Sequence, residues 1–413
     1  MSGGEILFIA HRIPFPPDRG DKIRSHHVLK ALARLAPMHV ATFADDEADA
    51  AAEADLATVA ASYRLIQRRK PVLRAGLEAV ASGRPVSLTA FHDPLLAEYI
   101  SETIRSRNIA AIYVFSGQMG QYVPADFAGR VILDFVDADS AKFAAYAKSG
   151  HLPSRWVNRR EARLLRSEEA RLVRRAHASL LISDEEAALF ASRLTETERS
   201  GARIAVLRNG IDLAQFDPFA TAPQAELASI PAPRLIFSGQ MDYAPNITAA
   251  LRAARRIMPK VRAAFPDATL HIVGRKPTAQ VLALDGLNGC KVWGRVDDMP
   301  AWLRAADLAL VPLEIARGVQ NKVLEAMAMA LPVVASVGAA TGIGAEPGRE
   351  IAVGESDEQI ASHAIALLRD RQRALTMGLA ARRYVERQRN WDAVLAGLPE
   401  LIGPLGPQVR DVA

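Results

Sequence analysis

Residues 312–336 read PLEIARGVQNKVLEAMAMALPVVAS, and the order of residue types is that of a loop, an amphipathic helix and a buried strand. The apolar run Leu308–Val311 ahead of Pro312 predicts a strand that feeds this loop. Gln320–Met329 keep helical spacing, and Val333–Ser336 predict the next strand. A strand joined to its successor through a helix is the crossover unit of a parallel sheet. At the start of such a helix the free N–H groups and the macrodipole favour a phosphate by about 0.3–1 kcal/mol, or about 2 kcal/mol when partly buried. Gly318 permits close backbone approach. Lys322 adds a point charge able to meet a departing diphosphate. Glu325, one turn on, is placed to accept hydrogen bonds from a ribose. On this physics alone, an ordinary helix with a surface lysine and a solvated glutamate remains an equal reading.

Outward from this stretch the same alternation recurs. The second half predicts strands at Arg234–Phe237, Thr269–Val273 and Lys291–Trp293, with helices at Asn246–Ile257, Pro300–Ala305 and Glu358–Leu368. The first half predicts strands at Ile6–Ala10, His39–Phe43, Ala111–Phe115, Val131–Phe135, Ser179–Ser183 and Ile204–Leu207. A helix carries Ile23, Val28, Ala31, Leu32 and Leu35. Residues 217–233 hold four prolines and little periodicity, and predict a linker. The expected organisation is therefore α/β: a doubly wound domain over 1–216, the linker 217–233, a second doubly wound domain over 234–385, and a helical segment 386–413. Ligands in such sheets bind outside the carboxyl ends of the strands, and a cleft between the two domains is expected to hold them.

The 413 residues are 50% hydrophobic and 23% charged, enough for two or three domains that each bury a core, and unlike a disordered or collagen-like chain. The single cysteine, Cys290, rules out an intramolecular disulfide. With no charged and apolar leader at the N-terminus, this predicts a reducing cytoplasm. No run approaches the roughly 18 apolar residues of a spanning helix, so a soluble or peripheral protein is expected. The first strand runs into His11-Arg12-Ile13-Pro14 rather than G-x-G-x-x-G, which argues against a nicotinamide enzyme. No tight carboxylate or His/Cys cluster has metal spacing.

Taken together, K-x-x-E-A-M-A at Lys322–Ala328 and P-V-V at Pro332–Val334 resemble the donor-site signature of the family 4, or group 1, glycosyltransferases of GT-B fold. Neighbouring landmarks stand in the same order: Phe237-Ser238-Gly239 with Pro245-Asn246, Val273-Gly274, and Gly294-Arg295-Val296-Asp297. Asn209-Gly210-Ile211-Asp212 with Phe216 and Pro218 resembles the N-G-I-D…F-x-P segment of these enzymes. The resemblance covers nearly all of residues 204–345. More narrowly, RIPFPPDRGDKIRSHHVLKALA and LDFVDADSAKFAAYA look like the sugar transferases associated with PEP-CTERM/exosortase exopolysaccharide systems.

The resemblance implies two Rossmann-like domains and transfer of a sugar from a UDP- or GDP-sugar to a lipid-linked or oligosaccharide acceptor, with retention and with neither a metal nor a cofactor, in agreement with the lack of a metal-spaced cluster. The donor side implied is Gly239, Asn246, Arg275, Arg295, Val296, Arg317, Gly318, Val319, Gln320, Asn321, Lys322 and Glu325. Lys322 and the loop amides would stabilise the diphosphate, Glu325 the ribose, and the backbone of 292–296 the base. Two departures stand out. Arg317 occupies the position of a glutamate that contacts the donor sugar in the wider family. Gln240, Met241 and Asp242 follow Gly239 where many relatives carry a phosphate-binding Arg or Lys, which points to Arg317 or Arg275 as helpers of Lys322.

The acceptor side is expected in the loop 11–22 of the first domain, with His11, Asp18, Arg19, Gly20 and Lys22 as candidates and Asp21 as the helix N-cap. Asp134, Asp137 and Asp139 follow a buried strand at its carboxyl end, and one of them is expected to meet the acceptor hydroxyl or the sugar. Asp137 is the expected catalytic carboxylate beside Lys322 and Glu325, with Asp139 and Lys142 on the acceptor. Two other readings are a non-catalytic nucleotide-sugar-binding or scaffold protein, suggested by Arg317, and a sugar-nucleotide epimerase.

The formal net charge is +5. Arg155–Arg175 holds eight arginines against three glutamates, and Arg64–Arg74 holds five basic residues and no acid. Both segments are expected to face anionic lipid head groups, at about 1 kcal/mol per basic residue near the surface. A solvated helix with local pairs such as Glu168–Arg171 is the alternative. Nucleic acid is not expected, since no stacking aromatics interleave with these arginines.

Overall fold

The computed structural model describes residues 3–149, 152–314 and 319–405. The chain divides into two units, Met1–Leu207 with Leu395–Ala413, and Arg208–Val394.

In the first unit, β1 (Glu5–Ala10), β2 (Met38–Ala44), β3 (Ser62–Gln67), β4 (Ile109–Phe115), β5 (Arg130–Val136), β6 (Ala178–Leu181) and β7 (Ile204–Val206) form one parallel sheet. Their order is β3-β2-β1-β4-β5-β6-β7. The chain winds outward from β1 to one edge and then, from β4, to the other. The two central strands β1 and β4 are almost continuous apolar runs, buried on both faces, as parallel strands covered by helices on each side must be. Four helices matter below: α1 (Gly20–Ala33), α2 (Val72–Ser82), α3 (Asp139–Ser149) and α4 (Leu152–Arg175).

The second unit repeats the plan with β8 (Arg234–Ser238), β9 (Thr269–Val273), β10 (Cys290–Gly294), β11 (Leu308–Val311), β12 (Val333–Ser336) and β13 (Ala352–Gly354), in the order β10-β9-β8-β11-β12-β13. Its helices include α5 (Ala244–Arg252), α6 (Asn321–Ala328) and α7 (Arg371–Gln388). Leu235, Phe237, Ile272, Leu310, Val323 and Val334 meet in one core. The helix expected over Asn246–Ile257 ends as α-helix at Arg252 and passes through a π turn at Ala253–Ile257 into Met258–Ala264. Pro259 cannot donate back into the preceding turn, which accounts for the widened spacing.

The structure corrects the expected linker. The division falls at 207/208 rather than across 217–233, because Phe216 and Leu227 are buried in the second unit's core. The Arg382 guanidinium donates to the carbonyls of Phe216 (2.5 Å) and Ala328 (2.8 Å), and the Gln224 amide to that of Ala301 (2.9 Å). The tail likewise leaves the second unit later than residue 386. A methyl group at Gly210 would meet Trp391 at 2.8 Å, and Ile211 N donates to Arg389 O at 2.7 Å. From Leu395 the chain belongs to the first unit, where Gly4 N donates to Leu405 O at 2.7 Å.

Candidate functional site

The second unit's topological switch lies between β8 and β11, and the loops after these two strands are where a ligand is expected. A glycine follows or ends each of three adjacent strands: Gly239 after β8, Gly274 after β9 and Gly294 closing β10. Gly239 N donates to Val273 O (3.0 Å), and Gly274 N to Gly294 O (2.7 Å). A methyl group at Gly274 would fall 1.6 Å from the Gly239 carbonyl oxygen. The carboxyl edge of the sheet is thus a floor of bare backbone, open to close approach.

Lys322 meets this floor from α6. Its Nζ donates to Asn246 Oδ1 at 2.5 Å and stands 4.9 Å from the centroid of the Phe237 ring. Asn246, buried in the first turn of α5, donates from Nδ2 to Gln240 O at 2.9 Å. A methyl group at Gly239 would come within 2.8 Å of Asn246 Nδ2 and 3.0 Å of Lys322 Nζ. Among the described residues no side chain caps α6 at Gln320, and its first turn carries no acid, so the positive end of the helix dipole lies beside the ammonium. Asn321 Oδ1 is buried without a partner among the described residues. Burial pulls Lys322 down to about 8, with Glu325 opposing, and pushes Glu325 up to about 7, with Lys322 opposing. This is a cationic, amide-lined corner suited to a diphosphate.

Arg275, exposed after β9, donates to Gln240 Oε1 at 2.9 Å, and Gln240 Nε2 donates to Asp242 Oδ1 at 2.6 Å. A guanidinium therefore stands against the residue that replaces a cation after Gly239. The other donor candidates divide. Val319 is buried in the core, Val296 is half-buried against it, and Gln320 caps α6 through its backbone. Arg295 is exposed and stands 3.8 Å from Asp297. Arg317 and Gly318 lie outside the described residues. Gly239 and Arg275 were read from the sequence as donor-side residues; Gly274 and Gly294 as parts of the same floor, and Gln240 as the partner of Arg275, were not, although a glycine at three successive strand ends is a signal the sequence carries.

In the first unit the switch lies between β1 and β4. His11 leaves the end of β1, with its ring stacked on Phe115 at the end of β4 (5.8 Å) and edge-on to Phe91 (5.9 Å). Its Nε2 lies 3.3 Å from Asp21 Oδ2, while Nδ1 is buried without a partner among the described residues. Burial alone would raise Asp21, but the His11 hydrogen bond and the charges of Arg12 and Arg19 hold it far below the usual carboxylate range. Ser116 (φ 79°) and Val136 (φ 67°) hold left-handed backbone at the ends of β4 and β5. For a β-branched residue this is strained by roughly 1–3 kcal/mol, and Val136 delivers Asp137 to the sheet edge. Desolvation and then Glu186 raise the Asp137 carboxyl. Desolvation also raises Asp139, opposed by Lys142, whose Nζ is 3.8 Å away. His11, Asp137, Asp139 and Lys142 thus gather at one end of the sheet.

Three expectations here are corrected. Lys22 is only 1% exposed; its Nζ pairs with the buried Asp49 carboxylate at 2.5 Å and donates to Phe15 O at 3.1 Å, so it anchors the loop. Asp21 is not the N-cap: Arg19 holds that position and α1 begins at the exposed Gly20, because His11, Arg12 and Arg19 draw the Asp21 carboxylate away. Asp134 is buried, accepting from Arg24 Nε (2.9 Å), Arg24 Nη2 (2.9 Å) and the Tyr113 hydroxyl (2.8 Å). It holds the sheet rather than a ligand. Asp18 stays exposed, and Arg19 reaches Asp49 at 3.4 Å.

Residues 232–370 match the family model "Glycosyl transferases group 1". Over 164 residues the chain is 31% identical to a GDP-mannose-dependent alpha-(1-6)-phosphatidylinositol monomannoside mannosyltransferase of Mycobacterium tuberculosis; the match covers 35% of this chain and 42% of that protein. The chain thus spans about two fifths of the length of the curated relatives it matches. Among solved structures it is similar to Anabaena HepE in complex with UDP and glucose (14% identity, TM-score 0.62) and to Thermosynechococcus elongatus sucrose-phosphate synthase (16% identity, TM-score 0.63). Each alignment covers 96% of this chain and 98% of the other. These likenesses establish a fold of two Rossmann-like units in one chain.

Proposed function

We propose that this GT-B protein, whose second unit carries a group 1 glycosyl transferase domain, moves a sugar from a nucleoside-diphosphate sugar to a lipid-linked or oligosaccharide acceptor. One observation carries the reading. The Lys322 ammonium is held by Asn246 over a side-chain-free glycine floor, at an uncapped helix start and at the switch point of the sheet. The departing diphosphate would lie there, neutralised by Lys322, the first amides of α6 and Arg275. Glu325 would hold the ribose, and the backbone around Val292–Val296 the base. Fixed positive charge at the point where negative charge develops lowers the barrier without a metal ion.

The acceptor would be met in the first unit by His11, Asp137, Asp139 and Lys142, with Asp137 against the reacting hydroxyl. Retention of configuration and a place in exopolysaccharide assembly belong to the same reading and rest on the family resemblance. That the matched mycobacterial relative acts on a phosphatidylinositol mannoside supports a lipid-linked acceptor and a location at the cytoplasmic face of a membrane. The basic segments Arg64–Arg74 and Arg155–Arg175 would meet anionic lipid.

The test is nucleotide release from a panel of UDP- and GDP-sugars, with and without a membrane extract as acceptor. Acceptor-dependent release from one donor is expected. A chain that binds UDP or GDP yet releases nothing beyond the acceptor-free rate would instead be a non-catalytic binder, the reading that Arg317 favours.

A further inference from the structure

Helix α2 is apolar on two sides. Ala75 and Ala79 enter the core, whereas Leu73 (77% exposed), Leu77 (67%) and Val80 (68%) form a stripe at i, i+4 and i+7 that faces solvent. A helix with apolar residues all round is ordinarily covered, and contiguous exposed patches of this kind mark interaction sites. Helix α4 abuts the C-terminal end of α2, where the Arg160 guanidinium donates to Ala79 O (2.7 Å) and Arg84 O (3.2 Å). One turn before Arg160, on the same face, Trp156 is 66% exposed, with Val157 beside it. Basic residues rim these groups. Arg69 and Arg74 are exposed at the start of α2, donating to Gln67 Oε1 (3.0 Å) and to Glu78 Oε1 (3.0 Å), and Arg155, which donates to Ala147 O (3.2 Å), Arg159 and Arg163 are exposed along α4. Other members of the two basic segments are tied inward: Arg68 to Asp45, Lys70 to Glu78 and two carbonyls, and Arg175 to Pro124 O. Among the described residues no helix is long and apolar enough to cross a membrane.

We propose that α2, with Trp156 of α4, is an interfacial anchor. Leu73, Leu77, Val80 and the indole enter the acyl boundary of an anionic bilayer while Arg69, Arg74, Arg155 and Arg159 contact its head groups. Leucine, valine and tryptophan framed by arginines are the composition of a helix lying in the interface plane. The positive rim selects an anionic lipid surface over an acidic or neutral protein groove, which would leave the apolar stripe only partly covered. The inference rests on the reading that the first unit meets lipid and adds an apolar component that salt does not screen.

The full chain is mixed with phosphatidylglycerol–phosphatidylcholine vesicles, and co-sedimentation and tryptophan emission are read at low and high salt. Binding that weakens but persists at high salt, with a blue shift lost in Trp156→Phe, is expected. The triple variant Leu73→Ser, Leu77→Ser and Val80→Ser should bind at least about tenfold more weakly and lose the salt-resistant fraction, with an unchanged melting temperature because these side chains are solvated. If salt removes all binding and the triple variant matches the wild type, insertion is overturned while the electrostatic contact stands. Absence of vesicle binding at any salt, or a dimer that dissolves in the triple variant, overturns both. Nucleotide release with a water-soluble acceptor should be the same in the triple variant and the wild type, which separates this surface from the transfer chemistry.

Discussion

Lys322 and Asn246 stand 76 residues apart in sequence, and their side chains meet at 2.5 Å above Gly239. Asn246 spends its amide N–H on the Gln240 carbonyl and offers its oxygen to the ammonium. A half-buried lysine is thereby fixed by a neutral partner rather than neutralised by a carboxylate, and its charge remains available to an anion.

That charge is conditional on pH. Because burial lowers Lys322 to about 8, the free protein loses its ammonium above that value. Affinity for UDP or GDP should fall about tenfold per pH unit beyond it, measured by calorimetric titration. Lys322→Arg should bind with a flat profile over the same range. The sign for stability is opposite: between about 8 and the ordinary 10.5 the unfolded chain binds the extra proton, so the fold gains stability as pH rises through that window. A wild-type binding profile that stays flat to the ordinary lysine range would contradict the assignment.

Two of the three floor glycines should separate binding from folding. Gly274→Ala forces a methyl group onto the Gly239 carbonyl and is expected to destabilise by at least about 1–3 kcal/mol in denaturant titrations. Gly239→Ala pushes on Asn246 and Lys322 instead. It should weaken nucleotide binding roughly tenfold or more with a smaller loss of stability.

In place of a cation after Gly239, the Gln240 side chain positions Arg275. Arg275→Ala should raise the Kd for a nucleoside diphosphate about three- to tenfold and leave that for the nucleoside unchanged. Gln240→Ala should shift it in the same direction by less. Equal losses for nucleoside and diphosphate would place Arg275 away from the phosphates.

In the first unit, Arg24→Met should cost about 3–5 kcal/mol because it strands the buried Asp134 carboxylate. Adding Asp134→Leu should restore much of that loss. Chemical denaturation of the single and double variants measures it.

The doubly wound plan was legible because buried parallel strands are short, predominantly apolar runs: Thr269–Val273, Leu308–Val311 and Val333–Ser336 were read to the residue. β3 escaped because Ser62–Gln67 is a half-exposed edge strand that alternates polar and apolar residues, and β13 because it has three residues. The proline-rich segment 217–233 looked like a linker since its composition does not reveal that Leu227 is buried. Lys322, Asn246 and Gly239 could be named from motifs, but their convergence is tertiary. Local spacing could not distinguish the buried roles of Lys22 and Asp134 from ligand contacts, because their partners Asp49 and Arg24 lie 27 and 110 residues away.

The central claim is that Lys322 stabilises a departing diphosphate, and the Lys322→Ala variant tests it most directly. Donor turnover with acceptor present, measured as nucleotide release alongside the melting temperature, should fall at least about 100-fold while the variant stays folded. A folded Lys322→Ala protein that releases nucleotide at near the wild-type rate would contradict the account.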